Sequence, residues 1–193
     1  IEPSQGLIKG VEHFGNHQPI TLEIGFGMGD SLAIMAEQNP DKNFIGVEVH
    51  TPGIGRLLAL VEKNGLDNIR VIQADAVEIL NRNFAANSLD QINIFFPDPW
   101  HKRKHHKRRL IQPSFLTLLH SRLKCGGLFH FATDWEPYAD FVAELMLENS
   151  LFKNVSADQL YVNPEEYGRP TTKFERRGLR LGHQVRDMVF STE

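Results

Sequence analysis

Short runs rich in β-branched and apolar residues alternate with longer segments of helical period along this 193-residue chain. Such alternation is typical of an α/β domain, in which helices cover both faces of a mostly parallel sheet. A chain of this length closes one core of that kind, so we expect a single domain over residues 1–193. The pattern predicts six strands: Ile20–Ile24, Phe44–Val49, Ile69–Gln73, Gln91–Phe96, Leu128–Thr133 and Gln184–Phe190.

Two helices carry clear start and stop signals. After the second strand, Thr51 is a candidate N-cap, Pro52 suits the first turn and Gly65 can end the helix. The predicted apolar face of this helix consists of Ile54, Leu57, Leu58 and Val61. A helix after the fifth strand is predicted to start at Asp134 and to bury Tyr138, Phe141, Val142 and Leu145. The stretch Tyr161–Pro170 is predicted to be a loop before the last strand.

The compartment is indicated by cysteine content and by the absence of long apolar runs. Cys125 is the only cysteine in the sequence, so an intrachain disulfide is impossible and a reducing cytoplasm is expected. No apolar run approaches the roughly 20 residues that span a bilayer, and we expect no membrane association. Because the sequence begins at Ile1 and not at Met, an N-terminal leader is expected to be missing.

A glycine-rich turn follows the first predicted strand. The segment Thr21–Asp30 runs from that strand through Gly25, Gly27 and Gly29 into a helix. Glycines suit this place because the turn is tight and a cofactor would have to approach bare backbone. Taken alone the pattern is weak, and its G-x-G-x-G spacing differs from the G-x-G-x-x-G of dinucleotide sites.

Each of the first four strands is associated with a carboxylate. Glu23, Glu48, Asp75 and Asp98 all lie at or just beyond the carboxyl end of a strand, where ligands of open α/β sheets bind. A dinucleotide needs mainly the second acid, and it needs positive charge for its pyrophosphate. S-adenosylmethionine has no phosphate but offers an ammonium, ribose hydroxyls, an adenine amino group and a sulfonium, all of which favour acceptors or negative charge. We therefore predict this cofactor, with Glu23 near the methionine end, Glu48 on the ribose and Asp75 near the adenine.

The segment Phe95–Trp100 leads from the fourth strand into a strongly basic stretch. Pro97 and Pro99 restrict the backbone on both sides of Asp98, which would preorganise its carboxylate. Trp100 offers a flat face on which a base could stack. A rigid surface turn with an anchoring Trp is the structural alternative.

Every residue from His101 to Arg109 is basic, and we call this segment the cationic strip. It holds six of the 21 Lys and Arg residues of a chain that also carries 24 Asp and Glu residues. Six like charges so close together repel one another, and nucleic-acid phosphates would relieve that repulsion. A solvated surface is the usual alternative, whereas a metal site of His101, His105 and His106 is disfavoured by the surrounding cations. A second basic cluster consists of Arg169, Lys173, Arg176, Arg177 and Arg180.

In these motifs the chain resembles the bacterial tRNA (guanine-N7-)-methyltransferase family. The resemblance rests on five segments: Leu22–Gly29, Gly46–His50, Phe96–Lys102 with its basic continuation, Thr133–Trp135, and Thr172–Glu175. Of these, P-D-P-W-H-K is far more specific than a glycine turn. The segments extend over nearly the whole chain. The departure from the family is the short N-terminus, because the family has a longer leader.

The resemblance implies a Rossmann-like class I methyltransferase fold with a mostly parallel seven-stranded sheet. It implies methyl transfer from S-adenosylmethionine to a variable-loop guanine of tRNA, with cofactor contacts at Glu23, Glu48, Asp75 and Asp98 and with Asp98 also at the chemical step. It further implies two groups of RNA-facing residues. Substrate contacts would be Lys102, Asp134, Thr172, Lys173, Phe174 and Glu175, and RNA contacts would be Lys104, His105, His106, Lys107, Arg108 and Arg109.

Three other functions stay open at this point. An amino-group methyltransferase would use a similar Asp-Pro-aromatic turn. A nicotinamide oxidoreductase would share the sheet, although the glycine spacing and the four acids disfavour it. A non-enzymatic RNA-binding module would keep the cationic strip but would not need acids around the glycine turn. No obligate protein partner is evident from the sequence.

Overall fold

The fold was analysed in a computed structural model, which describes residues 1–2, 6–156, 158–172, 175–176, 182 and 184–193. Among these described residues, the regular structure includes seven strands and six α-helices. The strands are β1 Ile20–Ile24, β2 Asn43–Glu48, β3 Ile69–Gln73, β4 Leu89–Phe95, β5 Leu123–Thr133, β6 Phe152–Asn154 and β7 Arg186–Thr192. The helices are α1 Gly10–Phe14, α2 Asp30–Gln38, α3 Thr51–Asn64, α4 Ala76–Asn83, α5 Pro113–Arg122 and α6 Glu136–Leu147. In the described part of the chain, 3₁₀ helices span Arg103–Arg108 and Pro164–Tyr167.

All seven strands form one sheet in the order β3-β2-β1-β4-β5-β7-β6. The strands β1 to β5 pair in parallel, whereas β7 is antiparallel to both β5 and β6. The chain order reverses between β1 and β4, the place where open α/β sheets bind their ligands. This architecture confirms the predicted α/β fold with a mostly parallel seven-stranded sheet.

The two faces of the sheet are covered by different helices. Buried side chains of α4, α5 and α6 pack with Leu22, Ile45, Ile92 and Phe131 in the larger core cluster. On the other face, α2 and α3 pack against Phe44, Ile69, Phe95 and Ala132. Successive strand residues thus face opposite layers, which explains why β1 and β2 are buried along nearly their whole length.

The predicted elements agree with the structure except at their ends. The bounds of β1 and β3 match, β4 and β5 begin earlier than predicted, and β7 is shifted by two residues. The short strand β6 escaped prediction because it has three residues, of which only Phe152 is buried. The segment Tyr161–Pro170 contains the 3₁₀ helix Pro164–Tyr167 within the predicted loop.

Two predictions for helix α3 are wrong, one for its N-cap residue and one for a residue of its buried face. Pro52 is in its first turn and Gly65 ends it in the left-handed conformation, as predicted, but the N-cap is His50 and Thr51 is already helical. The Thr51 hydroxyl instead accepts a hydrogen bond from Gln73 Nε2 at 3.0 Å. Leu58 is 51% exposed and does not belong to the buried face, which Gly53 and Leu57 form.

Helix α6 starts at Glu136, with Trp135 as N-cap, two residues later than predicted. Tyr138 and Val142 are buried, and Phe141 and Leu145 are partly buried against the same core, as the spacing indicates. Within the described part of the chain, no helix is long and apolar enough to cross a membrane.

Candidate active site

The glycine turn after β1 has the backbone that its sequence predicts. Gly25, Gly27 and Gly29 have φ values of 73°, 58° and 78°, in the left-handed region that other residues rarely adopt. The turn also packs closely against α3. A Cβ on Gly53 would lie 1.9 Å from the carbonyl oxygen of Gly27, so this helix position tolerates only glycine.

Glu48 fixes the same turn from the neighbouring strand. Its Oε2 atom accepts a hydrogen bond from the Gly27 backbone N–H at 2.9 Å. Its Oε1 atom accepts from the backbone N–H groups of Val49 and His50 at 2.7 and 3.0 Å. The predicted ribose acid therefore also organises the start of α3 and the glycine turn.

A cavity of about 1010 Å³ opens above the glycine turn. Its lining comprises Glu23, Gly25–Ser31, Ile34, Gln38, Arg56, Phe95, Phe96, Glu165, Gly168–Thr172 and Arg176. A cavity of this size can hold a nucleoside-type cofactor. The cavity brings together four predicted cofactor positions, Glu23 and the three glycines, with one predicted substrate position, Thr172.

Glu23 is the buried acid of this cavity. Its side chain is 2% exposed on β1, and its Oε2 atom has no hydrogen-bond partner among the described residues. Burial raises the pKa of the Glu23 carboxyl to about 8, although the positive charge of Arg169 opposes the shift. A buried, unpartnered carboxyl group that lines a cavity is suited to receive a cationic group such as the ammonium of S-adenosylmethionine.

The other three predicted cofactor acids, Glu48, Asp75 and Asp98, are not part of this lining, and Asp75 and Asp98 are exposed. Asp75 is the N-cap of α4, where its Oδ1 atom accepts a hydrogen bond from the backbone N–H of Glu78 at 3.0 Å. Asp98 lies in the Phe96–Trp100 turn, and its Oδ1 atom accepts from the backbone N–H of Trp100 at 3.0 Å. The hydrogen bonds described for Asp75 and Asp98 are thus to backbone N–H groups two or three residues further along the chain.

The Phe96–Trp100 turn has an unusual backbone at both ends. Phe96 and Trp100 have φ values of 52° and 48°, which is rare for aromatic residues and often marks functional sites. The Phe96 N–H bonds to the carbonyl oxygen of Ala132 at 2.8 Å, which ties the turn to β5. Asp98 is thus presented on a tightly specified turn next to the cavity wall formed by Phe95 and Phe96.

Trp100 and His101, which follow the Asp98 turn, each form a perpendicular aromatic pair. The rings of Trp100 and His105 are 5.7 Å apart, and those of His101 and Trp135 are 4.3 Å apart. Trp135 is 37% exposed and follows the exposed Asp134. The predicted substrate residues Lys102 and Asp134 therefore both adjoin exposed aromatic rings.

The cationic strip contains the 3₁₀ helix Arg103–Arg108, and most of its cations point to solvent. Lys104, Lys107 and Arg108 are exposed, while His105 and His106 are half-buried. The guanidinium of Arg108 lies 5.0 Å from the centre of the Trp100 ring.

Arg109 departs from the prediction for the strip. It is 3% exposed, its Nε donates to the carbonyl oxygen of Pro99 at 2.9 Å, and its guanidinium stacks on Tyr138 and Phe141. Because the Arg109 guanidinium packs against aromatic rings of α6 and is buried, we no longer propose Arg109 as an RNA contact.

Thr172 and Glu175 form the reciprocal hydrogen bonds of a capping box. The Thr172 hydroxyl accepts from the Glu175 N–H at 3.2 Å, and the Glu175 carboxylate accepts from the Thr172 N–H at 3.3 Å. Glu175 is buried, and its carboxylate forms a paired bond with Arg169. Because Glu175 is buried and paired with Arg169, the structure does not support a direct contact between its side chain and the substrate. The predicted contacts Lys173 and Phe174 lie outside the described residues.

A buried polar cluster behind the cavity was missed by the sequence analysis. It contains Arg169, Glu175 and Asp187 together with His130, which lies within an apolar run of β5. A histidine surrounded by Phe129 and Phe131 was the available signal. In the described part of the chain, no group of three or more His, Cys, Asp or Glu side chains could hold a metal ion.

Comparison with known proteins decides the family. A family model described as "Putative methyltransferase" matches residues 17–188. The chain is 58% identical over 178 residues to the tRNA (guanine-N(7)-)-methyltransferase of Pseudomonas entomophila (strain L48), covering 92% of this chain and 73% of that protein. It is 52% identical over 190 residues to the enzyme of the same name from Pseudoalteromonas atlantica (strain T6c / ATCC BAA-1087), covering 98% and 79%. The chain belongs to the tRNA (guanine-N(7)-)-methyltransferase family.

Solved structures of methyltransferases share the fold of this tRNA (guanine-N(7)-)-methyltransferase family member. The 16S rRNA methyltransferase KamB aligns with a TM-score of 0.69 at 18% identity, covering 98% of this chain and 95% of that one. A SAM-dependent methyltransferase from Aquifex aeolicus aligns with a TM-score of 0.62 at 13% identity over the full length of both chains. The predictions of the family, of methyltransferase activity and of S-adenosylmethionine as cofactor are confirmed. Membership of this methyltransferase family excludes two of the alternative functions, a nicotinamide oxidoreductase and a non-enzymatic RNA-binding module.

Proposed function

We propose that this chain acts as a single domain that transfers the methyl group of S-adenosylmethionine to N7 of a variable-loop guanine in tRNA. The observation that carries the proposal is the continuity between cavity and strip. Phe96 lines the cofactor cavity, Asp98 follows on the same turn, and the cationic strip begins at His101. One short segment thus joins the place for the cofactor to the place for phosphates.

The residues of the cavity fit S-adenosylmethionine. Glu23 supplies a buried carboxyl group for the ammonium, and the glycine turn leaves backbone accessible to the cofactor. A carboxylate offers about four acceptor sites, and the three described bonds of Glu48 leave room for a ribose hydroxyl. Asp75 takes the adenine side. When bound, the cofactor supplies a methyl group activated by its sulfonium.

Asp98 is proposed to anchor the guanine. Guanine N7 already carries an in-plane lone pair, so the protein does not need to remove a proton from it. The remaining work is to align the base and to stabilise the positive charge that develops on it. The Asp98 carboxylate can accept from the guanine N1–H and amino group while Trp100 stacks nearby. Lys102, Asp134 and Thr172 are proposed to hold the rest of the nucleotide.

The cationic strip is proposed to bind tRNA phosphates. Lys104, Lys107 and Arg108 are exposed and follow the Asp98 turn closely in sequence, and His105 and His106 lie between Lys104 and Lys107 in the chain. Release of counterions from the RNA would favour association with such a surface. A cytoplasmic location, where tRNA is available, and action without an obligate protein partner complete the proposal.

Product analysis tests the proposal directly. The protein is incubated with methyl-labelled S-adenosylmethionine and bulk tRNA lacking the modification, and the labelled nucleoside is identified after digestion. We expect 7-methylguanosine. Label in an exocyclic amino group would instead establish the amino-group methyltransferase, and label that requires no RNA would refute both.

A further inference from the structure

Arg169 is the most completely bonded buried charge in the described structure. Its side chain is 1% exposed, yet it lies in the cavity-lining segment after the 3₁₀ helix Pro164–Tyr167. Its Nη1 and Nη2 atoms donate to the two carboxylate oxygens of Glu175, each at 2.7 Å. Its Nε and Nη2 atoms donate to the two carboxylate oxygens of Asp187 at 2.6 and 2.7 Å. One guanidinium therefore holds two carboxylates in paired geometry.

The bonds of Arg169 connect the cavity wall to the sheet. Asp187 belongs to β7 and also bonds to Nε2 of His130 on β5 at 2.7 Å. On the other side, Glu175 bonds to Thr172 through the capping box, and Thr172 lines the cavity. A continuous chain of hydrogen bonds thus runs from the centre of the sheet to the cavity surface.

The charges of the cluster favour its present arrangement. Burial lowers the pKa of the Arg169 guanidinium, but its bonds to Glu175 and Asp187 more than offset this and raise it. His130 stays neutral because burial lowers its pKa, so Arg169 is the cation of this cluster and is shared by the two carboxylates of Glu175 and Asp187. A buried ion group of this kind contributes little net stability, although loss of one member is costly. We therefore attribute the role of this cluster to fixing the geometry of the residues around it and not to stabilising the fold.

We propose that Arg169 is a positioning residue for S-adenosylmethionine, which acts through Glu175 and Thr172 to hold residues 164–172 as one wall of the cofactor cavity. The proposal rests on the proposed function for the identity of the cofactor. Arg169 also contacts another part of the cavity lining, because its guanidinium lies 5.6 and 5.5 Å from the ring centres of Phe95 and Phe96.

A double-mutant cycle tests this role. Cofactor affinity is measured by calorimetry without tRNA for Arg169→Met, Glu175→Gln and the double variant, together with kcat and KM for the cofactor. We expect roughly tenfold weaker binding in each single variant and little further loss in the double variant, because both changes break the same path. KM for the cofactor should rise more than kcat falls.

Arg122→Met is the matched control. Arg122 also joins two elements, since its Nε donates to the carbonyl oxygen of Leu80 at 2.7 Å, but it does not line the cavity. It should lower the unfolding temperature without changing cofactor affinity. If Arg169→Met does not fold, Arg169→Lys keeps the charge but loses the paired bonds, and it should bind the cofactor more weakly.

Additive losses in the cycle, or wild-type cofactor affinity in a folded Arg169 variant, would overturn the proposal. Because this readout contains no RNA, it is independent of which atom of tRNA is methylated. A wild-type protein that binds the cofactor but yields no 7-methylguanosine would refute the proposed function and leave the positioning role standing.

Discussion

The Glu48 carboxylate accepts a hydrogen bond from the Gly27 backbone N–H at 2.9 Å, so the acid that ends β2 fixes the turn that follows β1. The two strands are parallel neighbours, which brings their carboxyl ends to one edge of the sheet. Gly53 on α3 closes the arrangement because its Cα approaches the same Gly27 carbonyl group. The cofactor turn is thus preorganised by a residue that we also expect to contact the cofactor.

Replacement of Glu48 should therefore weaken cofactor binding in two ways. We expect Glu48→Ala to cost roughly 1.5–3 kcal/mol of S-adenosylmethionine affinity, the range for hydrogen bonds to a charged group. Isothermal titration measures this loss. Glu62→Gln, which changes an exposed acid on α3, is the control and should bind as the wild type does. Unchanged affinity of a folded Glu48→Ala variant would refute the role.

Glu23 should make the stability of the protein depend on pH. Its pKa is about 8 in the folded protein and near 4.5 in the unfolded chain, so the folded state holds the extra proton between these values. Its contribution to stability is therefore fully present below about pH 4.5 and declines by about 1.4 kcal/mol per pH unit as the pH rises toward 8. Glu23→Gln removes this decline. Urea unfolding at pH 5.5 and 7.5 should show a gain for the variant that grows with pH, and an equal difference at both pH values would contradict the account.

The same substitution should impair cofactor binding. A cationic ammonium favours the ionised carboxyl, so binding at pH 7 should release a proton from Glu23. Calorimetry in buffers of different ionisation enthalpy counts that proton. Glu23→Gln should bind S-adenosylmethionine more weakly and release fewer protons, even though it is the more stable protein. Equal proton release by both proteins would exclude Glu23 as the source.

The cationic strip should divide into RNA-binding and structural members. Neutralising Lys104, Lys107 and Arg108 should weaken tRNA binding and lower its salt dependence, by up to about 0.9 log units per lost phosphate contact on a duplex. Arg109→Met should instead destabilise the fold by about 1–3 kcal/mol, because it removes the bond to Pro99 and the stacking on Tyr138. Filter binding at several salt concentrations and urea unfolding separate the two effects. A strip variant with an unchanged salt slope would show that these cations are only solvated.

The sequence was sufficient for the features that depend on local pattern. Strand β1, the glycine turn and the end of α3 at Gly65 follow from alternation of elements and from backbone preferences. The approach of Glu48 to the glycine turn follows from the topology of a parallel sheet, which brings the carboxyl ends of β1 and β2 together. The activity is predicted from the family resemblance, for which Phe96–Lys102 is the most specific segment.

Other features depend on distant partners and could not be predicted from local pattern. Arg109 resembles its neighbours in the strip, but Tyr138, nearly thirty residues later, provides the aromatic surface that buries it. The family resemblance predicts a substrate contact for Glu175, and the sequence groups Arg169 with other basic residues, because no local pattern indicates that these two residues pair. The side on which Leu58 lies depends on how α3 packs against the glycine turn.

Asp98 should act on the rate of methyl transfer and not on tRNA binding. Loss of one preorganised electrostatic group typically costs about 100- to 1,000-fold, and we expect this for Asp98→Ala at saturating tRNA and cofactor. Asp98→Asn keeps an acceptor for the Trp100 N–H but loses the charge, so it separates the shape of the turn from electrostatics. Single-turnover methyl transfer measures both rates. A rate within about threefold of the wild type, far below the expected loss, would leave Asp98 as a turn residue only.

The central claim is that guanine N7 is the atom that receives the methyl group. Two tRNA transcripts that differ only at the variable-loop guanine test it: one carries guanine there and the other 7-deazaguanine, which replaces N7 by carbon and keeps the N1–H and amino groups. Both should bind the wild-type protein equally, since the cationic strip and the Asp98 contacts are unchanged. We predict stoichiometric methylation of the first transcript and none of the second. Methylation of the 7-deaza transcript would contradict the account.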